Sequence, residues 1–312
     1  VDDLYASSVV TIGGNYTYDL FNANLAAFEM RYPFLEIGEI GKSVLGRPIP
    51  YVRIGTGEKE VFYCASYHAN EWITTPVLMK FIEDFADACI NDQNIYNYSA
   101  REIYNQTSVY LVPMVNPDGV DLVTGALHPG DSAYEAAKQI AAGYPQIPFP
   151  NGWKANIDGI DLNLQYPAGW DRARENKAML GITGPAPRDF VGWAPLTALE
   201  ANAVYHFTRR HDFKLMLTYH TQGEVIYWKY LDYLPEKSYE IGRMFSAASG
   251  YDLEETPYAS SFAGYKDWFI QEYDRPGYTV EAGLGVSPLP VEQFDTIYRD
   301  NIGILVLGAV LI

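Results

Sequence analysis

Short apolar runs alternating with helix-periodic segments constrain this chain more than any other feature of its sequence. "EVFYCASY" (60–67), "SVYLVPMVN" (108–116) and "FKLMLTY" (213–219) are apolar almost throughout and end in or next to polar residues. Runs this short and this apolar read as strands buried on both faces of a sheet. Between them, "TTPVLMKFIEDFADACI" sets Val77, Leu78, Phe81, Ile82, Phe85 and Ala86 at helical spacing. The alternation predicts an α/β fold with helices layered on a mostly parallel sheet. With 312 residues, 48% of them hydrophobic, the chain can fill the core of one such domain spanning 1–312.

Local signals refine that outline. The segment 16–32 reads as a helix closed by "RYPF". "IPYVRIG" and "EVFYCASY" read as two strands joined by a hairpin turn at "TGEKE". Thr75 with Pro76 in the first turn reads as the cap of the following helix. Thr197 and Glu200 have capping-box spacing before another helix. The stretch 117–192, rich in Gly, Pro, Asn and Asp, reads as loops with one short helix over 134–142, and loops that long are usually built around a site. A helix over 236–249 stops at Gly250, "GYTVEAG" is a strand, and a last helix begins near Val291.

Charge excludes one class of partner. With 39 acidic and 22 basic residues the net charge is −17, which repels polyanions and argues against nucleic acid. No basic run points to an anionic membrane, and the apolar C-terminal "IGILVLGAVLI" is too short to span a bilayer. Cys64 and Cys89 make neither a disulfide framework nor a cysteine zinc site; both read as buried thiols. The chain begins at Val1 without a methionine or a recognisable signal peptide, which reads as a processed or trimmed product.

"HANE" sets His68 and Glu71 three residues apart, His220 ends "FKLMLTY", and Glu281 ends "YTV". In open α/β sheets, ligand sites form beyond the carboxyl ends of strands, so these groups can converge on one crevice. His68, Glu71 and His220 would make a two-histidine, one-carboxylate set with a position left for water, as catalytic zinc requires. Glu281 would then be the general base. The competing reading is two satisfied core histidines and a Glu281 paired with a buried arginine.

"HANE", "VPMVNPDGV", "GIDLN", "YHTQGE" and "YTVEAG" occur in the order and approximate spacing of the zinc carboxypeptidases of the A/B type, the funnelins, which this chain resembles from about Tyr16 to its final helix. The resemblance implies an α/β/α sandwich around a mixed eight-stranded sheet, one zinc ion and a peptidase activity on a peptide substrate. It implies His68, Glu71 and His220 as zinc ligands and Glu281 as the catalytic glutamate. The family's carbonyl-polarising arginine aligns with Lys154, which carries the charge without the bidentate fork. Its asparagine–arginine clamp for a terminal carboxylate becomes Asn163-Leu164, and leucine cannot pair with a carboxylate. Tyr258 is an approximate match for the substrate-capping tyrosine.

"WKAN", "DLNLQYPAGW", "GPAPRDFVGWAPLTALE" and "YHTQGEVIYW" resemble, more narrowly, the bacterial γ-D-glutamyl-L-diamino-acid peptidases. This implies cleavage of peptidoglycan stem peptides between γ-D-glutamate and meso-diaminopimelate or lysine. Arg188 is the candidate for gripping one of the substrate's carboxylates, ahead of Arg172 and Arg174. Two alternatives stand beside this reading: a metallocarboxypeptidase trimming ordinary L-peptides, and a non-catalytic peptidoglycan-binding module. A peptidoglycan substrate implies work outside the cell or in its envelope, on recycled fragments in the cytoplasm, or on a spore wall.

Overall fold

The apolar runs become the middle of one sheet. The computed structural model describes residues 7–312; Val1, on which the reading of a processed start rests, lies outside them. In chain order the elements are α1 (Tyr18–Arg31), β1 (Glu36–Lys42), β2 (Pro48–Ile54), β3 (Lys59–Ala65) and α2 (Thr74–Ile90). A small hairpin of β4 (Asn94–Ile95) and β5 (Tyr98–Ser99) leads into α3 (Ala100–Gln106) and β6 (Thr107–Val112). Then come α4 (Pro117–Thr124), α5 (Ser132–Ala142), α6 (Trp170–Met179), α7 (Leu199–Arg209) and β7 (Phe213–His220). The chain closes with β8 (Val225–Tyr227), α8 (Ser238–Ser249), β9 (Asp252–Glu254), α9 (Tyr265–Tyr273), β10 (Gly277–Glu281) and α10 (Phe294–Val310).

Eight strands pair in the order β1-β2-β6-β3-β7-β10-β8-β9. The central pairs β6–β3, β3–β7 and β7–β10 are parallel, as is β8–β9, while β1–β2, β2–β6 and β10–β8 are antiparallel. The sheet is therefore mixed and parallel where it is most buried. Strand alternation sorts the core into two layers. Val61, Tyr63 and Ala65 of β3 pack with Phe81 of α2, Phe245 of α8 and Leu305 of α10. Phe62 and Cys64 face the other way, onto Phe207 of α7 and Phe269 of α9. Each such large side chain contributes about 1.5–3 kcal/mol on full burial. α10 lies so close to the sheet that a Cβ at Gly308 would meet the Tyr63 hydroxyl at 2.6 Å. Cys64 and Cys89 are free, buried thiols, and among the described residues no helix is long and apolar enough to cross a membrane.

Several local expectations give way to tertiary structure. "TGEKE" is not a hairpin: β6 lies between β2 and β3. Gly55 (φ +106) and Gly57 let the chain cross the start of β6, where a Cβ would come within 2.0 Å and 1.8 Å of the backbone of Thr107 and Gln106. Thr75 does not cap α2, whose N-cap is Ile73 without a side-chain bond. Its hydroxyl instead donates to Pro113 O (2.6 Å) and lies 2.7 Å from Ser66 Oγ. Thr197 and Glu200 form no capping box, since Ala198 precedes α7 and Glu200 is buried, accepting from Asn156 Nδ2 at 3.1 Å. The 117–192 stretch also contains α4 and α6 besides the expected short helix. Asn116 caps α4 through Gly119 N, a signal hidden by the Pro117 and Gly119 that read as loop.

Candidate metal centre and substrate groove

His68 follows β3, Glu71 ends a short turn (Ala69–Glu71), and His220 ends β7. The parallel register of β7 and β10 sets Glu281 opposite His220. The turn is fastened at its far end, where Thr74 Oγ1 donates to Glu71 O (2.8 Å) and accepts from Ser66 N (3.1 Å). Thr74, in the first turn of α2, thus holds the ligand-bearing turn to the end of β3.

One nitrogen of each histidine and the Glu71 carboxylate lie within 4.8 Å of one another. His68 Nδ1 is 3.1 Å from Glu71 Oε1 and 3.2 Å from His220 Nδ1, which is 3.1 Å from Glu71 Oε2. The opposite ring nitrogens are engaged: His68 Nε2 donates to Asp161 Oδ1 at 3.0 Å, and His220 Nε2 is 3.1 Å from the Thr218 hydroxyl. With their outer nitrogens held, both imidazoles turn Nδ1 toward the same point as a carboxylate. This is a donor set suited to zinc, with outer partners fixing ring orientation.

The carboxylates of Glu71 and Asp161 favour positive charge at this point. Burial pulls the His68 pKa down, but the carboxylates of Glu71 and Asp161 outweigh it and push it up to about 9. Burial raises Glu71, yet the Lys154 ammonium and His68 hold it well below the usual carboxylate range. Asp161 is likewise held low by His68 against burial. Glu281 goes the other way: burial raises it, and the Glu71 charge adds to that effect against the opposing His220 and Lys154. Lys154 is not a solvated loop lysine. Its Nζ donates to Glu71 Oε1 at 2.8 Å, and this charge raises its pKa although burial lowers it.

A cavity of about 240 Å³ opens on the site, walled by His68, Lys154, Asn163, Leu164, Arg188 and Glu281 among others. Asn163 Oδ1 accepts from Tyr265 N at 3.1 Å, and Leu164 brings an apolar surface to the wall. Three expected residues are not gathered into this wall. Tyr258 is 64% exposed and lays its ring against Phe262, 5.1 Å between centroids. Arg172 and Arg174 pair with Glu175 and Asp171 on the outside of α6.

Other groups in the wall escaped sequence reasoning. Asp161 stood inside the quoted "GIDLN" but carried no spacing signal to His68. Lys177–Asp189 (2.6 Å) and the buried Lys266–Asp267 (2.7 Å) are ion pairs facing the cavity. Only the Lys-Asp adjacency of the second pair was visible in the sequence.

A family model described as zinc carboxypeptidase matches residues 21–302. The chain is 46% identical over 299 residues to gamma-D-glutamyl-L-diamino acid endopeptidase 1 of Lysinibacillus sphaericus, covering 95% of this chain and 73% of that one. It is similar to carboxypeptidase A from Helicoverpa armigera (TM-score 0.72, 20% identity, 97% of this chain and 74% of that one). It is also similar to murein-tripeptide amidase MpaA from Escherichia coli O157 (TM-score 0.56, 16% identity, 87% and 91%). At such identities the two structures speak for the fold alone. The family model spans most of the chain and a relative shares nearly half its residues, so the chain belongs to the zinc carboxypeptidase family and is a zinc-dependent peptidase.

Proposed function

We propose that this peptidase hydrolyses peptidoglycan stem peptides at the bond between γ-D-glutamate and the following diamino acid. The observation that carries the proposal is the mixed charge of the cavity beside the metal centre. Lys177 and Lys266 share it with Asp189 and Asp267, and Leu164 stands where the family resemblance implies a carboxylate clamp. A diamino acid brings both an ammonium and carboxylates, which such a wall can answer, whereas an ordinary C-terminal residue asks for a single bidentate cation. The 46% identity to a gamma-D-glutamyl-L-diamino acid endopeptidase supports the same bond.

His68, Glu71 and His220 would hold zinc, which when bound supplies an acidified water and polarises the carbonyl. Glu281, raised by burial, suits a group that takes a proton from water and returns it to the leaving amine. Lys154 would offer its ammonium to the oxygen on which negative charge develops. Asn163 and Arg188 would position the substrate, and Tyr258 would reach it only by moving inward. Such a substrate would put the enzyme to work in the cell envelope or outside the cell, on recycled fragments in the cytoplasm, or on a spore wall.

The test is a mass-spectrometric digest of L-Ala-γ-D-Glu-meso-diaminopimelate-D-Ala with and without chelator and added zinc. Release of L-Ala-D-Glu, abolished by chelation and restored by zinc, is expected. Release of terminal D-Ala alone would make the enzyme a carboxypeptidase and overturn the reading of Leu164.

A further inference from the structure

Lys154 and Arg188 line a second cavity as well, of about 640 Å³. It borders the metal centre through Asn70, which sits between the ligands in "HANE", and Thr221, which follows His220. The outer wall is the loop around Ser287, tied in where Thr221 Oγ1 and Ser287 Oγ meet at 2.7 Å. The two cations therefore stand between two cavities, and a peptide could run past the centre in both directions.

The second cavity differs from the first in charge. Among the described residues no carboxylate lines it, and the charged groups that do are Lys154 and Arg188. Arg188 spends its Nε on Asp189 Oδ2 (3.1 Å), which leaves its terminal nitrogens without a protein partner among the described residues. Backbone bonds hold this arginine close to Lys154, because Lys154 N and Ala155 N both donate to Pro187 O (2.8 and 2.9 Å).

Asn70 fixes the inner wall of this cavity. It is only 4% exposed, and its Nδ2 donates to Asn151 O (3.2 Å) and Ser287 O (3.4 Å). These bonds fix which end of the amide is the oxygen. Oδ1 is buried with no hydrogen-bond partner among the described residues.

We propose that the second cavity is the subsite for the acyl half of the substrate. It takes an acyl group bearing a free carboxylate a few bonds from the scissile carbonyl. Arg188 pairs with that carboxylate. This rests on the cleavage site proposed above: a γ-linked D-glutamyl residue keeps its α-carboxylate, whereas an ordinary α-linked residue has none there. The first cavity is left to the diamino acid.

The experiment compares L-Ala-γ-D-Glu-meso-diaminopimelate with the same tripeptide carrying an α-carboxamide on the D-glutamyl residue, using the zinc-loaded wild type and Arg188→Gln. Amidation should lower the wild-type kcat/KM by about tenfold or more, mainly through KM, as loss of a charge-assisted pair does. In Arg188→Gln the two substrates should fall within about threefold of each other. Equal cleavage of both by the wild type, or a preference that survives in Arg188→Gln, overturns the assignment and returns Arg188 to the diamino-acid side. If the zinc-loaded wild type cuts neither tripeptide, the cleavage site itself is wrong and the subsite falls with it.

Discussion

Asp161→Asn probes the zinc centre from one residue away. Three N–H groups converge on this buried carboxylate: His68 Nε2 (3.0 Å) and Asn163 N (3.1 Å) on Oδ1, and Asp189 N (3.2 Å) on Oδ2. Asparagine has the same shape but one acceptor oxygen. If that oxygen faces His68, the amide NH2 meets the Asp189 N–H, donor against donor. If the NH2 faces His68, the ring must move its proton to Nδ1, the atom turned toward Glu71 and His220. Either arrangement weakens the donor set. Loss of such an outer partner typically costs 10–100-fold in metal affinity, or about 1.4–2.7 kcal/mol. Because mispairing cannot be avoided in either rotamer, the upper part of that range is expected. Competition with a fluorescent chelator near neutral pH measures the affinity. NMR titration of the zinc-free protein supplies a second readout: the His68 pKa, held up to about 9 partly by Asp161, should move down in the variant. Zinc affinity within twofold of wild type, with His68 titrating as before, would refute the reasoning.

Two further perturbations separate chemistry from folding. Glu281→Gln should lower kcat about 10²–10⁴-fold while zinc binds within a few-fold of wild type; a comparable loss of zinc would make Glu281 a structural group. Since burial raises Glu281 above its ordinary 4.5 and a base must be deprotonated, kcat/KM should fall on acidification with a limb above pH 4.5, and a limb below it contradicts the assignment. Glu200, lifted by burial from 4.5 to about 7, binds its proton more tightly in the folded than in the unfolded chain. Its contribution is full below pH 4.5 and is lost as pH rises through 7, by about 3 kcal/mol on a linkage estimate. Urea unfolding of Glu200→Gln should lack that decline, and an unchanged slope against pH would show that Glu200 does not carry it.

What could be read in the sequence follows from what holds each group in place. His220 and Glu281 end apolar runs, and a parallel register of β7 and β10 suffices to set them side by side. His68 leaves β3 three residues before Glu71, so a single turn brings both to the same edge. These positions depend on local pattern plus one sheet, and such information is written in short stretches. The hairpin expected at "TGEKE" failed for the opposite reason. Whether β2 pairs with β3 or admits β6 between them is decided by a strand more than forty residues further on, and only the close approach of Gly55 and Gly57 to Thr107 and Gln106 hints at it. Asp161 is equally non-local, bonded to His68 across 93 residues. The pairs Lys177–Asp189 and Lys266–Asp267 come from loop-rich segments where charge in the sequence looks like ordinary surface. The division has a physical consequence for specificity. His220 ends β7, and His68 and Glu71 sit in the short turn that follows β3, fastened to the sheet by Thr74. Asn163, Leu164 and Arg188 ride on loops anchored by a few bonds, such as those to Pro187 O. Substrate choice can therefore change at these loops while the metal centre stays as it is.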